Sequence, residues 1–301
     1  MKLNSMKITP YLYILPFFIL FLIFGVYPIG YSAYISFFKW GNTGAVQFMG
    51  LRNYSRFFGA ERDPLFWISL KNTLILLVTG SLLQHLISLP LAIFLNRQFV
   101  RGRDFFKTVY FLPYITSAVS VAIIFQQLYN PTGSGPLNFI VNNLGFEPIQ
   151  WLRDPVAIKA SISIILNWRF IGYYTIIYMA GLQGIPPELY EAARIDGASE
   201  FSQHLRVTVP LMIPIIFFSV SMSLIFGMQL FAEPYMLCGD YRQFGGVQNS
   251  GLTTTLLFMT LGFRMARFGR AAAVSWLMFF VILILTFTNK YISDRLDYTK
   301  E

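Results

Sequence analysis

Few side chains in this 301-residue sequence stand where they could do chemistry. The two histidines, His85 and His204, fall in segments expected in different compartments, so no shared metal site is expected. No glycine is followed by lysine, so the phosphate-cradling loop G-x-x-x-x-G-K-[ST] is absent. Any ATP must be bound by another chain. Of the 14 acidic residues only Glu233 approaches an apolar segment, and beside Pro234 it is expected at the interface. A secondary carrier driven by protons or sodium would have little to couple with. Arg169, in Asn167-Trp168-Arg169-Phe170, is the one charge in the middle of an apolar window. It either lies near a polar solute pathway, or snorkels or pairs with a neighbouring helix. The Gln84-His85 and Gln126-Gln127 pairs suit hydrogen bonds between helices, with contact to a solute as the alternative. No nucleophile and base stand together, so an enzyme is not expected.

The elements that must position these residues are membrane helices. Charged residues make up 12% and hydrophobic ones 55%, against about 25% charged in a soluble chain. A disulfide scaffold is excluded by the single cysteine, Cys238. The net charge of +9 is scattered along the chain, unlike a nucleic-acid footprint, and nucleic acid is not an expected partner. Uncharged windows run over 8–38, 72–96, 108–146, 207–232 and 271–289, and 160–187 carries only Arg169. A span needs roughly 20 apolar residues. The reading is a single transmembrane domain over 1–301 with six spans, at about 11–37, 71–95, 106–129, 157–182, 208–236 and 271–291. The Asn130–Pro136 run ends the third. The first lacks a cleavage site and is taken as a span.

Charge sets orientation weakly. Lys2, Lys7, Arg97, Arg101, Arg103, Lys107, Lys290, Arg295 and Lys300 lie on one side of the spans. Lys39, Arg52, Arg56, Arg62, Arg242, Arg264, Arg267 and Arg270 lie on the other. The totals nearly tie, and only the density of the second loop favours cytoplasmic termini.

The most informative polar stretch is 184–206, between spans four and five. Pro187 suits a first helical position, and Glu188 and Glu191 suit the positive end of the helix dipole. Leu189, Ala192 and Ala193 share a face; Gly197 can take the left-handed conformation and Ser199 can cap the next helix. Two short helices at a tight glycine turn, with small residues outward, would let another protein approach the backbone. An ordinary amphipathic connector would read the same way.

Glu191-Ala192-Ala193, Asp196-Gly197-Ala198 and Val207-Thr208-Val209-Pro210 resemble the EAA loop of binding-protein-dependent ABC transporter permeases. The likeness narrows to the maltose-type carbohydrate permeases. It rests on Gly50-Leu51-Arg52-Asn53-Tyr54, Leu112-Pro113-Tyr114, Gly251-Leu252-Thr253-Thr254-Thr255 and Phe268-Gly269-Arg270-Ala271-Ala272-Ala273. The chain departs from that group at Phe244-Gly245-Gly246-Val247, where Gly-Gly-Pro is usual.

The resemblance implies an all-α fold of the type I importer permease kind, with six transmembrane helices and a cytoplasmic coupling helix. The implied partners are a second homologous permease, two ATPase subunits that bind ATP and Mg, and an external solute-binding lipoprotein or periplasmic protein. The implied place is a bacterial or archaeal cytoplasmic membrane, with both termini inside. Glu191, Ala192, Ala193, Asp196, Gly197 and Ala198 would couple to the ATPase. The sugar pathway would take Tyr114, Ser117 and Ala118 from span three and Trp168, Arg169, Ile171, Gly172 and Thr175 from span four. Span five would add Ser223, Gly227 and Gln229. Trp168 can stack on a pyranose or pack between helices. The expected cargo is a sugar, with glycerol-phosphate or another anion as the alternative that Arg169 would suit.

Overall fold

The computed structural model describes residues 2–59, 63–97, 102–132, 135–238 and 245–296. Arg62, Arg101, Arg242 and Lys300 of the two charge sets, Gly133 and Ser134 of the third-span terminator, and Phe244 lie outside them. Helix α1 covers 2–36, with Pro10 and Pro16 inside it and a π turn at Leu22–Val26. A hairpin of β1 (Phe38–Gly41) and β2 (Gly44–Phe48) follows. It is a small two-stranded addition to the all-α fold; the turn residues Gly41-Asn42-Thr43-Gly44, with Gly44 at φ +87°, allow it. Then come α2 (Arg52–Phe58), α3 (Pro64–Leu95), α4 (Arg103–Ile115), α5 (Ala118–Leu128) and α6 (Pro136–Asn143). Helix α7 (Ala157–Leu182) precedes two short helices, α8 (Pro187–Ile195) and α9 (Glu200–Gln203). The chain continues through α10 (Val209–Met228), α11 (Ala232–Cys238), α12 (Thr254–Met259) and α13 (Phe268–Leu296).

Among the described residues, four helical stretches are long and apolar enough to cross a bilayer: Thr9–Ser36, Pro64–Leu95, Glu200–Cys238 and Phe268–Leu296. The expected third span is not one rod. Helices α4 and α5 pass the same test together but are bent by 94°. Thr116 and Ser117 are extended, at ψ 139° and 131°. The Thr116 hydroxyl donates to the Leu112 carbonyl four residues back, which competes with the helical ladder. Span five is also interrupted, at 229–231. The fourth expected span matches α7 end for end. It falls below the same apolarity because it carries Lys159, Asn167, Arg169 and tyrosines. Much of α7 is buried against protein, so its polar side chains need not meet lipid. At its entry the Asp154 carboxylate accepts from the Ala157 and Val156 N–H groups, both at 2.8 Å. Those two bonds hold the Asp154 pKa below the usual carboxylate value.

The chain divides into two compact units, 1–63 with 258–277, and 64–257 with 278–301. In the first, buried Asn53 donates to the carbonyls of Ser36 (2.8 Å) and Phe38 (3.0 Å), pinning α2 to the end of α1. Gly269 opens α13 against the Phe38 carbonyl, where a Cβ would collide. In the second unit, Leu76, Val121, Phe125, Tyr129, Ile158 and Ile162 form one buried cluster, and Ala92, Tyr174, Tyr178 and Met212 belong to another.

Lipid tails are as apolar as these side chains, so close packing and hydrogen bonds hold the helices together. Tyr129 donates to the Ser161 carbonyl (2.9 Å) and Ser88 to the Ile171 carbonyl (2.9 Å). Asn72 ties α3 to the carbonyls of Asn249 (2.8 Å) and Leu252 (3.1 Å). Helices α4 and α7 meet at Gly172, where a Cβ would land on the Tyr110 carbonyl oxygen. Gly172→Leu is therefore expected to destabilise the assembled protein by about 1–3 kcal/mol through overpacking. The check is the fraction of detergent-solubilised protein that survives heating; an unchanged heating curve would contradict this packing.

Candidate functional site

Helix α7 carries Arg169 at its middle, α10 brings Ser223 and Gly227, and the break after α10 brings Gln229. These four line one cavity of about 330 Å³ in the second unit. Its polar wall is completed by four residues outside the predicted pathway: Ser81, Gln84, Tyr174 and Glu233. Glu233, expected at the interface beside Pro234, is enclosed by protein. It is 4% exposed and forms a buried ion pair with Arg169, which thus both pairs with a neighbouring helix and lines the cavity. Arg169 also reaches the Thr116 carbonyl (3.4 Å), a group left without a helical partner by the α4–α5 break. The sequence offered one charge within an apolar window and one acid near another, but nothing in it paired the two.

Behind the cavity, Ser223 Oγ lies 2.7 Å from His85 Nε2 and accepts from Gln84 Nε2 at 3.2 Å. His85 Nδ1 meets the Tyr178 hydroxyl at 2.7 Å. The Gln84-His85 pair thus bonds between helices, as expected, and Gln126 does the same by donating to the Met236 carbonyl (2.5 Å). Gln84 Oε1 and Arg169 Nε are buried without a hydrogen-bond partner among the described residues.

The other pathway residues lie elsewhere in the unit. Tyr114 stacks on Tyr173 with ring centroids 4.4 Å apart. Ser117 and Ala118 lie at the α4–α5 break. Trp168 is half-exposed and its ring stands 5.4 Å from that of Phe125. The Ile171 carbonyl accepts from both Ser88 and Thr175 (2.7 Å), and Gly172 is buried at the α4 crossing.

The second constellation is the 184–206 segment. Pro187 opens α8, Glu188 falls in its first turn and Arg194 in its last, each matching the dipole. Gly197 has φ +79°, and Gly197 and Ala198 N–H groups donate to the Arg194 (3.0 Å) and Ala193 (2.9 Å) carbonyls, closing the helix. The Ser199 hydroxyl accepts from the Ser202 N–H and caps α9. Glu191, Ala192, Asp196 and Gly197 are exposed, Ala193 and Ala198 half-buried, with Ile195 86% and Phe201 73% exposed beside them. Arg97 at the end of α3 pairs with Glu200 at 2.5 Å, and Tyr190 meets Thr208 at 2.9 Å, so the knuckle is tied to two spans.

Several helices long and apolar enough to cross a bilayer, a polar cavity and an exposed two-helix knuckle are the features of a multi-pass membrane protein. The chain belongs to the binding-protein-dependent transport system inner membrane components, whose family model matches residues 88–298. It is 34% identical to the arabinooligosaccharides transport system permease protein AraP of Bacillus subtilis, over 96% of this chain and 90% of that one. It is 34% identical to the lactose transport system permease protein LacF of Rhizobium radiobacter, covering 94% and 93%. It is 30% identical to the trehalose/maltose transport system permease protein MalF of Thermococcus litoralis, covering 97% and 92%. Its fold matches a bacterial ABC transporter involved in the import of the acidic polysaccharide alginate, with TM-score 0.79 and 24% identity over 98% of each chain. A bacterial alginate ABC transporter in complex with an alginate pentasaccharide-bound periplasmic protein matches with TM-score 0.80 at 23% identity, covering 99% and 98%.

Proposed function

We propose that this chain is one permease subunit of an ATP-driven sugar importer in a bacterial or archaeal cytoplasmic membrane. It acts as a single six-span domain with both termini inside. A second, homologous permease completes the pathway, an external binding protein delivers the saccharide, and two ATPase subunits bind ATP and Mg beneath. The exposed knuckle at Gly197 carries this reading, because its small residues surround a turn that a partner's cleft can approach closely. Closure of the ATPases moves the paired knuckles together and switches the spans between inward- and outward-facing states, a rigid-body change between two packings.

The cavity supports an uncharged, hydroxyl-rich cargo. Among the described residues its only charged lining groups are Arg169 and Glu233, and they neutralise each other. A phosphate would have to break a buried pair, whereas a sugar hydroxyl can use Gln84, Ser223 and Gln229. The named substrates of the relatives, arabino-oligosaccharides, lactose, and trehalose or maltose, are all uncharged sugars.

The test is uptake of a radiolabelled panel of neutral oligosaccharides and of glycerol-phosphate by cells expressing the complete transporter. Uptake of an oligosaccharide is expected; uptake of glycerol-phosphate alone would overturn the cargo assignment. In the same assay Trp168→Ala is expected to lower uptake about tenfold, the loss of one ring–sugar stacking contact. The ATPases should still copurify with it; their loss would make Trp168 a packing residue.

A further inference from the structure

The near-tie in charge between the two sides of the membrane has a structural explanation in the first unit. Lys39, Arg52, Arg56, Arg267 and Arg270, drawn from the first and fifth loops, converge on one cavity of about 590 Å³ with Trp40 in its wall. No acidic residue lines it among the described residues. Arg270 is paired with Asp63, but Lys39, Arg52, Arg56 and Arg267 form no ion pair among the described residues. Four cations with no ion pair among the described residues, set around one hollow, repel one another unless an anion joins them. The fold holds them there regardless: Asn53 fixes α2, and Gly269 brings the start of α13 onto the hairpin.

The depth of the cavity identifies the anion. The apolar stretch of α1 ends at Ser36, two residues before the hairpin, and that of α13 starts at Phe268, beside Arg267 and Arg270. Tyr31, Tyr34, Phe38 and Trp40 form a ring ladder there, with Tyr34 and Phe38 centroids 4.6 Å apart and Tyr31 and Trp40 5.9 Å apart. Such tyrosines and tryptophans mark the headgroup level of a bilayer. Phe48 and Leu51 next to the cavity are 67% and 68% exposed, apolar surface suited to acyl chains. Arginine forks match a phosphate oxygen pair, and basic pockets at span ends suit anionic headgroups.

From this we infer that the cavity binds the phosphodiester headgroup of an anionic phospholipid such as phosphatidylglycerol. The lipid acts as the counter-ion that locks the hairpin, α2 and the start of α13 together. It does so whichever cargo is carried and whichever face of the membrane the cavity occupies.

The experiment is native mass spectrometry of the purified, assembled transporter titrated with phosphatidylglycerol or phosphatidylcholine. The unmodified complex should retain phosphatidylglycerol preferentially, and less of it as salt rises; salt-insensitive retention, or no preference, overturns the proposal. Removing three cations in R52Q/R56Q/R267Q should weaken phosphatidylglycerol binding about a hundredfold. The charge-conserving R52K/R56K/R267K should keep most of it, and K71Q/R153Q/K159Q, which removes three cations elsewhere, should leave it unchanged. Equal losses in all three variants would overturn the assignment. So would displacement of the lipid by equimolar inorganic phosphate, which would make the site one for a free oxyanion. A glutamine variant that keeps its lipid but loses salt-sensitive capture of the binding protein would make the cavity a protein dock instead.

Discussion

Gly197→Val leaves the chain in the membrane and removes transport. At φ +79° a β-branched residue is strained by about 1–3 kcal/mol. At about 1.4 kcal/mol per tenfold, the docking-competent turn becomes roughly five- to 140-fold rarer. The effect is conformational rather than steric, because a Cβ at this position meets nothing within 4 Å. Gly197→Asn, which tolerates the left-handed region, should therefore keep much more activity than the valine variant. Glu191→Lys reverses charge on the exposed face of α8 and should likewise separate ATP hydrolysis from uptake. Proteoliposomes fed a radiolabelled saccharide, with phosphate release measured in parallel, read both quantities. Wild-type uptake in the valine and lysine variants would remove the coupling role from this segment.

Glu233→Ala has the second large effect. It strands Arg169, about nine-tenths buried, without its counter-ion. Breaking a buried pair from one side costs about 3–5 kcal/mol, while replacing both partners by apolar residues is close to neutral. The single variant should therefore lose heat resistance and assembly, and Arg169→Met with Glu233→Met should recover most of both. The double-mutant cycle measures the coupling directly. A loss in the double variant equal to the sum of the two single losses would show that the pair contributes nothing and that each residue acts alone.

The extent of the α7 helix was legible, because 160–187 carries a single charge, Arg169, over a stretch of helical length. The knuckle was legible in detail, since proline, glycine and serine each have a local conformational reason to stand where they do. The bend at Thr116 was not. Pro113 lies three residues too early to mark it, and an uncharged window reads the same whether straight or folded. The Arg169–Glu233 pair joins residues 64 positions apart and needed the packing of α7 against α11 to be seen. The cationic cavity was invisible for the same reason: its residues come from two loops more than 200 positions apart, and as single charges they only blurred the topology.

Coupling requires that the 188–203 knuckle face the cytosol and sit inside a partner ATPase. One thiol placed there reads both conditions: Ala192→Cys in a Cys238→Ala background, since Cys238 is the sole native cysteine. A membrane-impermeant maleimide should label inside-out vesicles stripped of the ATPase, fail on intact cells, and lose access when the ATPase is added back. Labelling of intact cells, or labelling that the ATPase does not suppress, would refute the assigned coupling role.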